Sequence, residues 1–247
     1  MTIRDIAVAF GIEVDQKSVG AAENAIKGVK NMASKLLGAI GIGFSIAGIA
    51  NLAEAAADAE ALKSQFSQVF GDLEQDASDK LDKIADETGV TVNRMKGSFT
   101  QIAAFAKTTG MEQADALDIA DRSMKAVADS AAFYDRSIED VTNSLQSFLK
   151  GNFENDAALG LSCTETTRNT AANALYGKSF KDLSEAEKQL TLLQMVEDAN
   201  KASGAIGQAA RESDTWTNQL GNLKQNVQDL KAAAGNAFLK PAVMVLK

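Results

Sequence analysis

Apolar residues recur every three or four positions over most of the chain, and this spacing predicts helices. From position 54 onward, one apolar helical face follows another, with short polar turns between them. The clearest faces are Met95, Phe99, Ile102 and Ala106; Leu117, Ala120, Met124, Val127 and Ala131; Val141, Leu145 and Phe148; and Leu190, Leu193 and Val196. The pattern predicts an all-α fold, an elongated bundle of amphipathic helices.

Short polar motifs mark the predicted helix starts. Ser184 with Glu187, and Thr109 with Glu112, have the spacing of a capping box, in which two side chains bond each other's backbone N–H groups. Ser137 is a third predicted N-cap. Helices of about 10–20 residues between these signals fit the all-α prediction.

The first residues follow a different rhythm, because apolar and small or polar residues alternate there. The alternating positions are Ile6, Val8, Phe10, Ile12 and Val14. This period of two predicts a short N-terminal β-strand. A lone strand needs a partner, so the segment either pairs with its copy in another subunit or is an extended arm. A helix predicted from Asp15 to Lys35 completes the segment of residues 1–35.

Residues 36–53 carry no charge and are rich in glycine. Ala39, Gly43 and Ala47 form a row of small residues at a spacing of four, which lets helices approach closely. The pattern favours a buried packing or hinge segment. Its length is at the lower limit for spanning a bilayer, which requires about 20 apolar residues. A segment that enters a membrane only on release is the second interpretation. A permanent transmembrane anchor is the third, since nothing aromatic flanks the segment as an interfacial belt would.

The formal net charge is −8, and most of it lies in residues 54–90. That segment holds ten acidic residues and three lysines, which is −7. A solvated helix face is the expected structure for it. Because duplex binding requires cations to neutralise phosphates, the charge argues against specific nucleic-acid binding.

The residues needed for common catalytic sites are missing from the composition. The sequence contains no histidine and a single cysteine, Cys163, so Ser-His-Asp and Cys-His catalysis and the usual zinc sites are excluded. We expect Cys163 to be a small, buried or half-buried side chain. Asn155 and Asp156 lack the rest of a calcium loop. No enzyme activity, metal or cofactor is predicted.

The segment from Gly151 to Cys163 is the longest stretch without helical periodicity. We expect it to form a tight turn in which Phe153 and Leu159 pack back into the bundle.

The last long apolar series predicts a helix that packs lengthwise on another helix. Its members are Trp216, Leu220, Leu223, Val227, Leu230 and Ala234. The steps of four and three residues are those of a coiled-coil seam. We call this series the seam. Gln, Asn, Lys and Asp occupy the other positions, which we expect to face water.

This region contains the motifs Ser-Asp-Thr-Trp-Thr-Asn-Gln at 213–219 and Asn-Leu-Lys at 222–224. In these motifs the sequence closely resembles the core region of tail tape-measure proteins of long-tailed phages and phage-derived particles. The resemblance continues upstream in Gly-Asn-Phe-Glu-Asn-Asp-Ala-Ala-Leu-Gly at 151–160 and in residues 174–197. It covers roughly residues 85–240.

The resemblance implies a structural protein of the virion. Such proteins lie in the tail tube lumen as parallel copies, threefold or sixfold, govern tail length during assembly and leave during genome delivery. The implied partners are tail tube, baseplate or tip proteins, tail assembly chaperones and the host membrane during ejection. Synthesis takes place in the host cytoplasm. Because members are commonly several times longer, we expect this chain to be the N-terminal portion of a longer product or a shortened member of the family.

The predicted organisation has four parts: residues 1–35, residues 36–53, the acidic helical residues 54–90, and the tape-measure core region at 91–240. The alternative function is a secreted or membrane-active helical interaction protein.

Overall fold

The computed structural model describes residues 46–154 and 156–246. Helices make up 81% of these residues, and they contain no strand. The all-α prediction is therefore confirmed for this part of the chain. The predicted strand and the predicted helix ending at Lys35 lie outside the described residues.

The α-helices are α1 (Ile46–Phe70), α2 (Glu74–Thr88), α3 (Val92–Thr108), α4 (Gln113–Phe133), α5 (Ile138–Leu149), α6 (Glu165–Tyr176), α7 (Glu185–Ser203), α8 (Gln208–Arg211) and α9 (Trp216–Leu246). Short 3-10 helices span Gly71–Leu73, Asp156–Leu159 and Phe180–Asp182. The chain divides into two compact units, a larger one of residues 64–223 and a smaller one formed by the residues before 64 and after 223. The division falls within α1 and within α9.

Helix α4 is the centre of the larger unit, because it packs against α2, α3, α5, α7 and α8. The five predicted positions of its apolar face, Leu117, Ala120, Met124, Val127 and Ala131, are all buried. Ile119, Ala126 and Ala128 are buried as well, since neighbours cover α4 on several sides. A buried helix of this kind needs more than one apolar stripe.

Three phenylalanines join the end of α1 to α3 within the larger unit. The ring centroids of Phe66 and Phe70 are 4.7 Å apart, and those of Phe70 and Phe99 are 5.2 Å apart. All three side chains are at most 2% exposed. Tilted aromatic pairs at these distances add to the stabilisation that burial alone gives.

Two of the predicted caps are confirmed. The hydroxyl of Ser184 accepts the N–H of Glu187 at 3.2 Å, and the carboxylate of Glu187 accepts the N–H of Ser184 at 2.8 Å. The hydroxyl of Ser137 accepts the N–H of Asp140 at 3.1 Å. These bonds satisfy backbone donors that the first turn of a helix leaves free.

The capping box predicted from Thr109 and Glu112 is wrong. Thr109 ends α3, and its hydroxyl donates to the carbonyl of Ala106 at 2.7 Å. Helix α4 begins at Gln113, with Glu112 at the N-cap and no side-chain cap bond. An N-cap residue must directly precede the first helical residue, and Thr109 lies four residues before Gln113, too far back to cap α4.

The segment between α5 and α6 packs as expected. Leu159 is fully buried, and the ring of Phe153 lies 5.5 Å from that of Phe148 in an edge-to-face arrangement. The guanidinium of Arg168 lies 4.2 Å from the centroid of the Phe153 ring. This arrangement holds the segment against the bundle.

Helix α2, in the second half of the acidic segment, is amphipathic. Helix α2 buries Ala77, Leu81 and Ile84 in the core, while Asp79 and Asp82 are exposed. The predicted solvated acidic face is therefore confirmed for α2.

Candidate functional site on the long helix α9

The start of α9 is held by asparagine side chains that reach one backbone carbonyl. The carboxamide nitrogens of Asn218 and Asn222 donate to the carbonyl oxygen of Gly89 at 3.1 and 2.7 Å. The oxygen of Asn222 accepts the N–H of Thr91 at 3.2 Å. Residues four apart lie on the same face of a helix, so both carboxamides meet the same turn. We call Asn218, Asn222, Gly89 and Thr91 the asparagine clamp.

Gly89 is required at this turn for two reasons. Its φ is 68°, in the left-handed region that suits glycine, and its N–H bonds the carbonyl of Ala85 as α2 ends. A Cβ at position 89 would also lie 2.5 Å from the Cβ of Ser213. A side chain there would push the chain before α9 away from the turn.

Arg94 connects the clamp to α5. Its guanidinium forms a two-pronged pair with the carboxylate of Glu139, with N–O distances of 2.8 and 3.1 Å, and donates to the oxygen of Asn218 at 3.2 Å. The Arg94 side chain is only 7% exposed. It passes over Gly221, where a Cβ would collide with the guanidinium. A cavity of about 50 Å³ beside Arg94 and Asn218 has room for ordered water and is far below the volume of ligand pockets.

The seam side chains that the structure describes, from Leu220 onward, do not make these contacts, and the side chain of Trp216 lies outside the description. Leu220 is 38% exposed and Leu223 is 57% exposed. Val227 and Leu230 are half-buried, while Ala234 is buried. Leu220 and Leu223 therefore leave apolar surface open within the described chain, and packing of the seam against a further helix stays a prediction.

The sequence analysis did not predict that Asn218 and Asn222 of α9 bind the turn at Gly89. We expected the polar positions of this helix to face water, but Asn222 is 8% exposed. Two asparagines four apart with Gly221 between them were the available signal. Apolar periodicity cannot report it, because the contact is made by polar side chains against a backbone carbonyl.

Within the smaller unit, α9 packs closely on α1 through small residues. A Cβ at Gly235 would collide with the carbonyl oxygen of Leu52 and lie 2.8 Å from the Cβ of Ala56. Leu52, Ala56 and Ala234 are at most 4% exposed. The absence of a side chain at Gly235 thus lets the two backbones approach.

The uncharged segment is described only from residue 46. Ala47 lies in α1, and Ala39 and Gly43 fall outside the described residues. None of the described helices combines the length and apolar character needed to cross a bilayer.

An open groove of about 430 Å³ lies between α2, α4, α7 and α8 and is lined by Glu87, Asp129 and Glu197 among other residues. The carboxylate of Asp129 accepts the N–H of Gly207 at 2.9 Å. Glu197 pairs with the guanidinium of Arg122 at 2.7 Å, and this bond raises the pKa of Arg122. Asp129 and Glu197 thus hold neighbouring elements together.

Cys163 is half-buried, as expected. Burial raises the pKa of its thiol, although Arg168 opposes the shift, so the thiolate is scarce near neutral pH. Among the described residues, no three side chains of His, Cys, Asp or Glu are grouped as metal ligands.

Comparisons with protein-family models, curated proteins and solved structures found no match to this chain. The functional proposal therefore rests on the residues of the chain and on the geometry of α9.

Proposed function

We propose that this chain is a tail tape-measure protein of a long-tailed phage or phage-derived particle. It packs in the tail tube lumen as parallel copies, governs tail length during assembly and leaves the tube as the genome is delivered. The resemblance at residues 151–160, 174–197 and 213–224 supports this class of protein.

The exposure of the seam residues Leu220 and Leu223 is the observation that carries the proposal. Helix α9 is 31 residues long, about 46 Å at 1.5 Å per residue. It uses Asn218 and Asn222 to hold the bundle, while Leu220 and Leu223 remain exposed. Exposed leucines at heptad spacing are suited to packing against a further helix.

Charge along α9 favours copies that run in the same direction. With the seam residues at positions a and d, Lys224 and Lys231 occupy position e, and Gln219 and Asn226 occupy position g. In a parallel pair each lysine faces a neutral amide of the other copy. In an antiparallel pair position e faces position e, so the lysines approach each other and repel.

Deletion of the gene from the genome that encodes this chain tests the proposed role in tail assembly. We expect particles with the gene deleted to lack tails of normal length, as seen by electron microscopy. The wild-type gene should restore them. Tails of normal length without the gene would contradict the proposed function.

The role of the seam is tested with matched aspartates. Leu223→Asp places a charge on the seam, and Gln228→Asp places one on an exposed position outside it. We expect the second variant to restore tails and the first to fail, because a buried unpaired charge prevents helix packing. Equal restoration by both variants would contradict the seam but not the function.

A further inference from the structure

Within the larger unit, the end of α1 and the start of α9 are held in place by different chemistry. At the end of α1, Phe66 and Phe70 are buried in the core with Phe99. Lys96 adds a cation–π contact, with its ammonium 4.3 Å from the centroid of the Phe66 ring. Opening this attachment would expose three aromatic rings to water, so it stays closed unless the core itself opens.

The start of α9 has no such apolar attachment among its described side chains. The apolar core cluster includes no described residue beyond Val196. Leu220 and Leu223 are exposed, as given above. Among the described side chains, the contacts of residues 218–223 with the turn at Gly89 are the asparagine clamp and the bond from Arg94 to Asn218, which together make four hydrogen bonds. Hydrogen bonds exchanged for bonds to water contribute little net stability.

We infer that residues 218–223 of α9 are a releasable latch. The clamp opens locally, and α9 leaves the turn at Gly89 while the apolar core of α2 to α7 remains folded. Opening exposes the carboxamides, the carbonyl of Gly89 and the N–H of Thr91, which water can satisfy. Leu220 and Leu223, the described leucines of this segment, are exposed already. Release presents the polar face of α9 as well as its leucines. This inference does not depend on the proposed function.

The amide of Thr91 reports the state of the latch directly, because its N–H is bonded to the side chain of Asn222. The test is native-state hydrogen exchange of the full chain, followed by NMR, with the amides of Ala103 and Phe99 as references in the core. We expect Thr91 to exchange at least about 100-fold faster than those references, and its rate to be insensitive to low urea, since local opening exposes little surface.

Asn218→Ala sharpens the test, because it removes two bonds of the attachment and leaves the bond between Asn222 and Thr91 in place. The matched control is Asn226→Ala, an exposed asparagine on the same helix. We expect the first variant to speed exchange of Thr91 about ten-fold without changing Ala103, and the control to change neither.

Two results would overturn the latch. One is exchange of the Thr91 amide at the rate of Ala103 and with the same urea dependence, which means that the clamp opens only when the core unfolds. The other is an equal effect of the two alanine variants on Thr91. If Asn218→Ala instead speeds every core amide equally, the clamp supports the whole fold and the latch is also contradicted.

Discussion

Gly235 lies directly against the carbonyl of Leu52, where α1 and α9 pack in the smaller unit. In an isolated helix, replacing glycine with alanine stabilises the protein by about 1 kcal/mol. At position 235 we expect the opposite sign, because the new methyl would meet backbone that cannot move aside. Gly235→Ala should lower the free energy of unfolding by about 1–3 kcal/mol, measured by chemical denaturation.

Gly221→Ala is the natural comparison for that variant, since it makes the same change in the same helix. The obstacle there is the guanidinium of Arg94, the end of a flexible side chain. The helical gain of about 1 kcal/mol should offset much of the loss of the bond to Asn218. A fall in stability at Gly221 as large as that at Gly235 would contradict the assignment of Leu52 as the rigid contact.

Arg94→Lys tests the pair with Glu139. Lysine cannot reproduce the planar, two-pronged contact. Its single ammonium group also cannot pair with Glu139 and keep the hydrogen bond to Asn218 as the guanidinium does. Because Glu139 is half exposed, with 54% of its side chain in solvent, water weakens the pair, and we expect a loss of about 1 kcal/mol in the free energy of unfolding. Arg136→Lys is the control, since Arg136 is exposed and lines the cavity beside Arg94. It should change the free energy of unfolding little.

The cap of α7 gives a pH prediction. Hydrogen bonds from Ser184 lower the pKa of Glu187 from its ordinary value of 4.5, and Lys178 acts in the same direction. A carboxylate with a lowered folded pKa stabilises the protein above the unfolded pKa and loses that contribution as pH falls through the folded one.

The difference in unfolding free energy between wild type and Glu187→Gln should therefore be constant above pH 4.5 and shrink below it. Urea denaturation at a series of pH values measures this. A difference that is unchanged down to the lowest pH at which the chain folds would show that the charge of Glu187 does not act in the cap.

The helical faces were predictable because burial repeats with the helical period. Every predicted apolar position from Met95 to Ala106 and from Leu117 to Ala131 is buried. The capping box of Ser184 and Glu187 was predictable because it requires two residue types at a fixed spacing. The cap at Thr109 failed because α4 begins at Gln113 and not at Gly110, a boundary that the spacing of two residue types does not reveal.

The contacts of α9 were harder to predict. Asn222 reads as a solvent-facing residue until Gly89 is known to turn its carbonyl toward it. Gly235 reads as a weak helix residue, and only the packed pair shows that Leu52 needs the space. Both contacts are long-range backbone approaches, which one-dimensional periodicity does not encode.

Cross-linking in purified tails tests the proposed packing of parallel copies of this chain along the seam inside a tail tube. On a Cys163→Ser background, Leu223→Cys should form disulfide-linked pairs in intact tails, because equivalent seam positions face each other in parallel copies. Gln228→Cys, on the same helix but outside the seam, should not. Absence of the protein from purified tails would contradict its place in the tail tube, and equal disulfide formation at both positions would contradict packing along the seam.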